Sequence, residues 1–328
     1  MKSEILRLLK ESNGYVSGQQ LCDAFQVSRT AVWKVIEHLK KEGYQIEAVR
    51  NKGYRLVGSP DVMSKAEIES LVRTEWAGRQ GVYYEETDST NIRAKDAGEK
   101  GGEHAVHGTL FVAERQMAGK GRRGRGWESP AGTSIYMTIL LHPKFLPGKA
   151  PQLTLLMAVA VVEAIRKVTG LACGIKWPND VIYQGKKLCG ILTEMSTEVS
   201  FINYVVIGVG INVNQETFPE ELGDKATSLK LELGANVRRA ELIAAVMEQF
   251  ESCYGTFLET EDLSGVRKKY NQLLVNRNQD VRVLEPGNEY EAHAVGINDT
   301  GELIVRTEGQ ERAVYAGEVS VRGLYGYT

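Results

Sequence analysis

The longest apolar run of the chain limits the folds that it can adopt. Residues 150–162 carry no charge, and the segment from Gln152 to Val168 is hydrophobic on nearly every face of a helix. Such a helix must be enclosed by other apolar surfaces, so it is predicted to lie at the centre of a large domain. The run is shorter than the ~20 residues of a membrane span, and we expect no membrane partner.

Charge is distributed unevenly along the 328 residues. The formal net charge is -2, yet the first 58 residues hold ten Lys or Arg against six Asp or Glu. A polyanionic partner is therefore expected at the N-terminal end. The four cysteines are far apart and lack metal-ligand spacing, and Glu4 and Glu11 interrupt the first apolar residues. These features predict free thiols, a cytoplasmic location and no signal peptide.

The first 60 residues have the pattern of a DNA-binding domain. Three short helices with apolar faces precede two strands, 46–49 and 54–57, and a basic turn joins the strands. This is the order of a winged helix-turn-helix, in which the third helix enters the major groove. A solvated helix face or a protein-docking surface is the alternative. The predicted DNA contacts are Ser28, which is also a good N-cap, Arg29, Thr30, Trp33, Lys34, Arg50 and Lys52.

The rest of the chain divides into two parts of different pattern. Residues 61–270 alternate strands with helices, and the strand near 204–213 is apolar on both faces, as in the middle of a sheet. Short β-runs separated by turn residues follow from about Asp280, which predicts a small barrel. We therefore expect an α+β protein with three domains, 1–60, 61–270 and 271–328.

The stretch GKGRRGRGW, residues 119–127, combines four basic side chains with four glycines. Its GxGxxG spacing formally matches a dinucleotide fingerprint, but Gly126, Pro130 and Gly132 prevent the helix that a fingerprint needs, and Walker A spacing is absent. A flexible anion-binding loop fits these residues, because crowded cations repel one another unless an anion neutralises them. A solvated loop and a second DNA contact are the alternatives.

Four further polar segments lie near the ends of predicted strands. They are DSTN (88–91), KWPND (176–180), GKKLCGIL (185–192) and GVGINVN (208–214). Each has an ordinary structural explanation, such as N-capping by Asp88 or Ser89, or an exposed lysine at a hairpin tip. Together they predict a pocket at the edge of one sheet. The five histidines lie elsewhere, and HExxH and GxSxG are absent, which disfavours zinc and serine hydrolases.

In this order, and with Gln116 ahead of GKGRRGRGW, the motifs resemble those of the biotin-protein ligases. The N-terminal winged helix makes the chain similar to their bifunctional bacterial form, which also represses the biotin operon. The resemblance covers essentially the whole chain. It implies a mixed-sheet ligase domain related to class II synthetases and lipoate ligases, followed by a small SH3-like β-barrel.

The resemblance also implies the reaction and its partners. ATP with Mg2+ would be the cofactor, biotin the substrate, and biotinyl-5'-AMP both the intermediate and the corepressor. The acceptor would be a lysine of biotin carboxyl carrier protein or of another biotin-dependent carboxylase domain. Operator DNA would be the second partner, and a homodimer would form on binding ligand or DNA.

Residue roles follow from the same resemblance. Lys187, Arg122 and Asp180 would be catalytic, with Asp180 as a possible Mg2+ ligand in an otherwise unknown metal site. Lys120 stands where many relatives have arginine, which keeps the charge and loses the planar fork. The residues implied to bind biotin or biotinyl-AMP are Ser89, Thr90, Asn91, Gln116, Gly119, Lys120, Gly121, Arg122, Trp127, Lys187 and Asn212. Arg123, Arg125 and the loop 214–228 receive no role.

The implied chemistry agrees with these residue types. A carboxylate that attacks an α-phosphate approaches a group of its own charge sign, so fixed cations such as Lys187 and Arg122 lower the barrier without an acid or a base. The nearest rival is a lipoate ligase, and the rival from another class is a repressor whose central domain only senses a ligand. ATP–pyrophosphate exchange with biotin separates the three.

Overall fold

The structure is a computed structural model that describes residues 1–285, 287–316 and 320–323. Two features of the sequence interpretation fall partly outside this range. Residues 318 and 319 of the predicted β-run EVSV lie outside the described residues, and so does Pro286 of a predicted turn. The remaining predicted elements can all be compared with the structure.

The N-terminal segment forms three helices and a β-hairpin, as predicted. Its elements are α1 (Lys2–Glu11), α2 (Gly18–Phe25), α3 (Arg29–Lys41) and the antiparallel strands β1 (Gln45–Val49) and β2 (Gly53–Gly58). Helix α3 begins after Ser28, whose side-chain oxygen accepts a hydrogen bond from the Ala31 amide. The inner faces of these elements bury an apolar core of their own, centred on residues such as Ile36 and Leu39.

The middle of the chain forms a seven-stranded mixed sheet covered by helices. Its elements are α4 (Lys65–Leu71), β3 (Gly81–Thr87), α5 (Thr90–Lys100), β4 (Leu110–Gln116), β5 (Ile135–Leu141), α6 (Gln152–Thr169), β6 (Gly174–Lys176), β7 (Asp180–Tyr183), β8 (Lys186–Thr197), β9 (Ile202–Ile211), α7 (Leu229–Leu233), α8 (Arg239–Thr260) and α9 (Ser264–Leu273). The strand order is β3-β4-β5-β9-β8-β7-β6. Strands β3 and β4 run parallel, and the other neighbours pair antiparallel.

Helix α6 lies at the centre of this domain, as its all-round apolar surface predicted. It packs against α8 on one face of the sheet, and α5 covers the opposite face near Phe111 and Leu140. The segment Pro147–Thr169 is longer than the uncharged run 150–162 and is long and apolar enough to cross a membrane. Its most apolar stretch of 18 residues is 78% buried inside the protein, as expected for a core helix.

The C-terminal segment forms a five-stranded antiparallel sheet from the predicted short β-runs. Its strands are β10 (Gln279–Glu285), β11 (Asn288–Ile297), β12 (Leu303–Thr307), β13 (Gln310–Val314) and β14 (Ser320–Gly323), in the order β13-β12-β11-β10-β14. Its inward valines pack into the same apolar core as α6. This sheet is therefore joined to the central domain by continuous hydrophobic packing.

A buried glutamate joins the N-terminal unit to the central domain. The Glu67 carboxylate on α4 is fully buried and lies 2.6 Å from Lys10 Nζ of α1 and 3.0 Å from Arg238 beside α8. The Tyr44 hydroxyl donates a hydrogen bond of 2.6 Å to the same carboxylate. A buried charge needs such partners, so these contacts hold the two units against each other.

Candidate functional site

The DSTN segment lies where β3 ends and α5 begins. Ser89 is the N-cap residue of α5, but its side chain makes no capping hydrogen bond. The Asp88 carboxylate accepts the Ser89 amide at 2.6 Å and pairs with Arg93 at 2.8 Å. Simple N-capping by Ser89 therefore does not explain this segment.

The segments singled out in the sequence converge on one pocket. It lies over the sheet where the end of β4, the start of α5 and strands β8 and β9 meet. The loop of residues 119–127, called the basic loop, closes it. The predicted ligand-binding residues that line it are Ser89, Thr90, Asn91, Gln116, Lys120, Gly121, Arg122, Trp127 and Lys187. Residues that the sequence interpretation did not name singly also line it, and these are Tyr136, Met137, Asn179, Gly190, Ile191, Leu192, Gly208, Val209 and Gly210.

Glycines on β9 let side chains lie flat against the sheet. A Cβ atom built on Gly208 would stand 2.1 Å from Asn91 Oδ1, and one on Gly210 would stand 2.7 Å from the Trp127 ring. Any larger residue at these positions would displace the pocket side chains. The alternation of glycine with valine and isoleucine in GVGI is the sequence signal that could have indicated this part of the pocket wall.

The basic loop is ordered by its own backbone and begins no helix of a dinucleotide-binding fold. The Gly121 amide donates to the Arg125 carbonyl at 2.7 Å, and the Trp127 amide donates to the Gly119 carbonyl at 2.9 Å. Residues Arg122–Gly124 form one 3-10 turn. The loop thus folds back on itself and carries its cations to the rim of the pocket.

Arg122 reaches from this loop to two other parts of the protein. Its guanidinium donates to Asn179 Oδ1 at 3.1 Å and to the Ala316 carbonyl of the C-terminal segment at 2.6 Å. Burial lowers the pKa of Arg122, but arginine starts so high that it keeps its charge. The C-terminal segment is therefore in direct contact with the basic loop.

Among the described residues, Lys187 is one of three basic ones that line the pocket, with Lys120 and Arg122. Its Nζ atom lies 2.6 Å from Asp180 Oδ1 and 5.3 Å from the centre of the Trp127 ring. Burial lowers the pKa of the neighbouring Lys176 to about 8. The described residues contain no group of three His, Cys, Asp or Glu that could hold a metal ion. Asp180 is thus a single carboxylate already engaged by a lysine, and Mg2+ would depend mainly on phosphate oxygens.

Two predicted ligand residues lie outside the pocket lining. The Asn212 side chain is buried and donates to the Thr227 carbonyl at 3.0 Å, so it fixes the loop 214–228 against the sheet. That loop also pairs with the start of β8, because the Thr227 amide donates to the Lys187 carbonyl at 2.9 Å. A Cβ atom on Gly119 would stand 2.5 Å from the Trp127 carbonyl, so Gly119 permits a backbone contact.

The predicted DNA contacts are exposed residues of the N-terminal domain. Arg29, Thr30, Trp33 and Lys34 are exposed on α3, and Arg50 and Lys52 are exposed at the hairpin turn. Trp33 is 53% exposed, which is unusual for so large an apolar side chain. The Ser28 side chain is used as the cap of α3. The other six predicted contacts take no part in the apolar core, so their side chains can reach a partner.

Sequence models of three known families match the chain. The HTH domain matches residues 2–55, the biotin/lipoate A/B protein ligase family matches 84–212, and the biotin protein ligase C terminal domain matches 278–322. The bifunctional ligase/repressor BirA of Bacillus subtilis (strain 168) is 39% identical over 324 residues, which cover 98% of each chain. This chain belongs to the bifunctional ligase/repressor family.

More distant members of the bifunctional ligase/repressor family are similar over nearly the same length. The BirA protein of Escherichia coli (strain K12) is 30% identical over 312 residues, covering 95% of this chain and 94% of that one. Among solved structures, the biotin protein ligase from Aquifex aeolicus in complex with biotin and ATP matches with a TM-score of 0.66 and 31% identity. It covers 75% of this chain and 99% of its own. About three quarters of this chain therefore have the fold of that ligase.

Proposed function

We propose that the pocket is the site where this member of the bifunctional ligase/repressor family joins biotin to ATP. The products are biotinyl-5'-AMP and pyrophosphate, and the biotinyl group then passes to a lysine of a carboxylase carrier domain. The observation that carries the proposal is the convergence of DSTN, the basic loop and Lys187 on one pocket. Relatives along the whole chain are named as ligases, and a similar structure holds biotin and ATP.

The polar groups of the pocket divide into two ends. Hydrogen-bonding side chains of Thr90, Asn91 and Gln116 lie at the α5 end, where the neutral head of biotin would bind. Lys120, Arg122 and Lys187 lie at the loop end, where they would hold the biotin carboxylate beside the α-phosphate. Fixed cations lower the repulsion between these two anions and hold them in line. ATP with Mg2+ supplies the leaving pyrophosphate.

The second half-reaction needs an uncharged amine at the activated carboxyl carbon. The Asp180 carboxylate lies beside Lys187, which lines the pocket, and it would receive a proton from the acceptor lysine. Its own pairing with Lys187 keeps it oriented. The acyl phosphate is already activated, so positioning and deprotonation of the acceptor complete the transfer.

ATP–pyrophosphate exchange tests this proposal against its rivals. Exchange that requires biotin supports the ligase, whereas exchange only with lipoate would identify a lipoate ligase. Absence of exchange with both compounds would contradict the proposal and would favour a ligand sensor. The same assay with a carrier domain then measures transfer.

We also assign operator binding to α3 and the hairpin turn, with biotinyl-AMP as corepressor and a homodimer as the bound form. A two-fold dimer would place two winged helices on a two-fold operator. We expect the protein to act in the cytoplasm. Sedimentation velocity with and without biotin plus ATP measures the dimer, and fluorescence anisotropy of operator DNA under the same conditions measures corepression. Equal DNA affinity in both conditions would contradict the corepressor role.

A further inference from the structure

A chain of hydrogen bonds runs behind the pocket and includes Thr138, to which no role has been assigned. Thr138 lies on β5, and its side chain is fully buried. Its hydroxyl oxygen lies 2.8 Å from Thr90 Oγ1 and 2.7 Å from Asn91 Oδ1. Both neighbours line the pocket, so Thr138 touches two ligand-facing side chains from behind.

The neighbours of Asn91 determine which way the Thr138 proton points. Asn91 Nδ2 faces two acceptors, the Glu194 carboxylate at 2.8 Å and the Leu192 carbonyl at 3.4 Å, so its amide oxygen must face Thr138. An amide oxygen only accepts hydrogen bonds. Thr138 therefore donates its one proton to Asn91, and its oxygen is left to accept from Thr90.

An ion pair at the far end of this series of hydrogen bonds stabilises the orientation of the Asn91 amide. Lys95 Nζ lies 2.8 Å from the Glu194 carboxylate. Burial acts to raise the pKa of Glu194, but the hydrogen bonds from Lys95 and Asn91 outweigh it and bring the pKa below its ordinary value. Glu194 is thus ionised at neutral pH and keeps accepting from Asn91.

The proton of Thr90 consequently points into the protein. Its two possible acceptors are Thr138 Oγ1 at 2.8 Å and Gln116 Oε1 at 3.2 Å, and the latter already accepts from the Thr90 amide at 2.8 Å. The Thr90 oxygen therefore keeps a lone pair for the pocket, and the Asn91 amide oxygen, which accepts one proton from Thr138, keeps a second lone pair. This end of the pocket is a hydrogen-bond acceptor that complements N–H donors.

We propose that Thr138 is a positioning residue that sets this proton order and thereby selects ligands whose head group carries N–H donors. The cyclic urea of biotin carries two such donors, whereas the dithiolane ring of lipoate carries none. The inference rests on the proposed function and deepens it. Discrimination between the two acids would then depend on a side chain that touches neither.

Replacement of Thr138 by valine keeps the shape and removes the hydroxyl. Thr138→Val should raise the KM for biotin in pyrophosphate exchange about tenfold, because Asn91 loses its donor and both pocket residues lose their orientation. The KM for ATP and kcat should stay within about twofold. Desthiobiotin, which retains the urea, should show the same loss, and Thr138→Ser should restore the wild-type KM.

The Thr154–Thr193 pair provides a matched control. These hydroxyls lie 2.7 Å apart, so Thr193→Val removes one member of a threonine pair on the same sheet and should leave the biotin KM unchanged. A Thr138→Val protein whose biotin KM is within about twofold of wild type would overturn the inference. So would equal losses for biotin and ATP, or a failure of Thr138→Ser to restore binding.

Folding is checked by circular dichroism, and Thr138→Ala provides the same measurement if the valine variant does not fold. The alanine variant also lacks the hydroxyl, so the same changes in KM are expected and the same results overturn the inference. A wild-type protein without biotin-dependent exchange would instead contradict the proposed function. The two failures are therefore distinguishable.

Discussion

At the scale of single residues, two neighbouring lysines have different surroundings. Of the two lysines at the hairpin tip, Lys187 turns towards Asp180 and the Trp127 ring and lines the pocket, whereas Lys186 does not line it. The sequence pattern placed both lysines at a hairpin tip, and only the resemblance to the ligase family singled out Lys187. Neighbouring residues of a strand point to opposite faces of the sheet, so only one of these two side chains can face Asp180 and the pocket.

Lys187→Ala should reduce biotin-dependent pyrophosphate exchange by about 100- to 1000-fold, since it removes a fixed cation from the reacting groups. The fold should be retained, because Lys187 lies at the start of a strand and not in the core. Exchange kinetics measure the loss. Lys186→Ala is the matched control with expected wild-type exchange, and an active Lys187→Ala protein would refute the assigned role.

Gly208→Ala should damage both the pocket and stability. The added Cβ would overlap Asn91 Oδ1, so we expect a loss of about 1–3 kcal/mol in the free energy of unfolding and a raised KM for biotin. Gly255→Ala in α8 is the control, because its Cβ meets nothing within 4 Å and alanine favours a helix. Urea unfolding of both variants measures the contrast, and equal stabilities would contradict it.

Lys176 predicts a pH dependence of stability. Burial lowers its pKa to about 8 from the ordinary 10.5, so between these values the unfolded chain binds a proton that the folded protein has released. Stability contributed by this group therefore rises with pH across that window, by up to about 3 kcal/mol relative to Lys176→Met. Urea unfolding of both proteins from pH 7 to 10 measures the difference. Parallel pH profiles would show that the Lys176 proton is not linked to folding.

At the scale of elements, patterns of apolar residues located most helices and strands. The all-round apolar α6, the amphipathic α3 and the doubly apolar β9 lie where the sequence predicted them. Helices α7 and α9 were missed, because α7 has five residues and α9 is mostly polar. Such segments become helical through packing against their neighbours, which a local pattern does not contain.

The α3 surface and the hairpin turn should both contribute to DNA affinity. Lys34→Ala and Lys52→Ala should each weaken operator binding and reduce the slope of log affinity against log salt by about one, as expected for one phosphate contact. Pyrophosphate exchange should be unaffected. Fluorescence anisotropy at several salt concentrations measures the slopes. Lys268→Ala, an exposed lysine of α9, is the control, and an unchanged slope for both test variants would exclude this surface.

At the scale of the whole molecule, the linker that follows residue 58 makes specific contacts with the central domain. Arg239 is buried at the start of α8, and its side chain binds Asp61 at 2.9 Å and Glu114 of β4 at 2.7 Å. Glu114 in turn accepts the Gly132 amide from the end of the loop that carries the basic residues. The linker and the ligand loop thus meet at one ion-pair network.

This network determines where the N-terminal domain can be removed. A chain of residues 59–328 should keep pyrophosphate exchange and lose operator binding. A chain of residues 63–328 also lacks Asp61, so Arg239 loses one of its two carboxylate partners. Its free energy of unfolding should therefore be lower by about 1–3 kcal/mol than that of the longer chain. Thermal unfolding compares the two. Operator binding by either chain would contradict the DNA-binding assignment.

The sequence by itself determined most of the elements, their order and the motifs of the site, because these depend on local periodicity, turn residues and the chemistry of short segments. The tertiary structure decided which side chains meet. It turned Asn212 towards Thr227, turned Lys187 towards Asp180, placed Arg122 against Ala316 and set Thr138 behind Thr90. These contacts join residues that are distant along the chain, and their direction depends on strand register and on the packing of glycines.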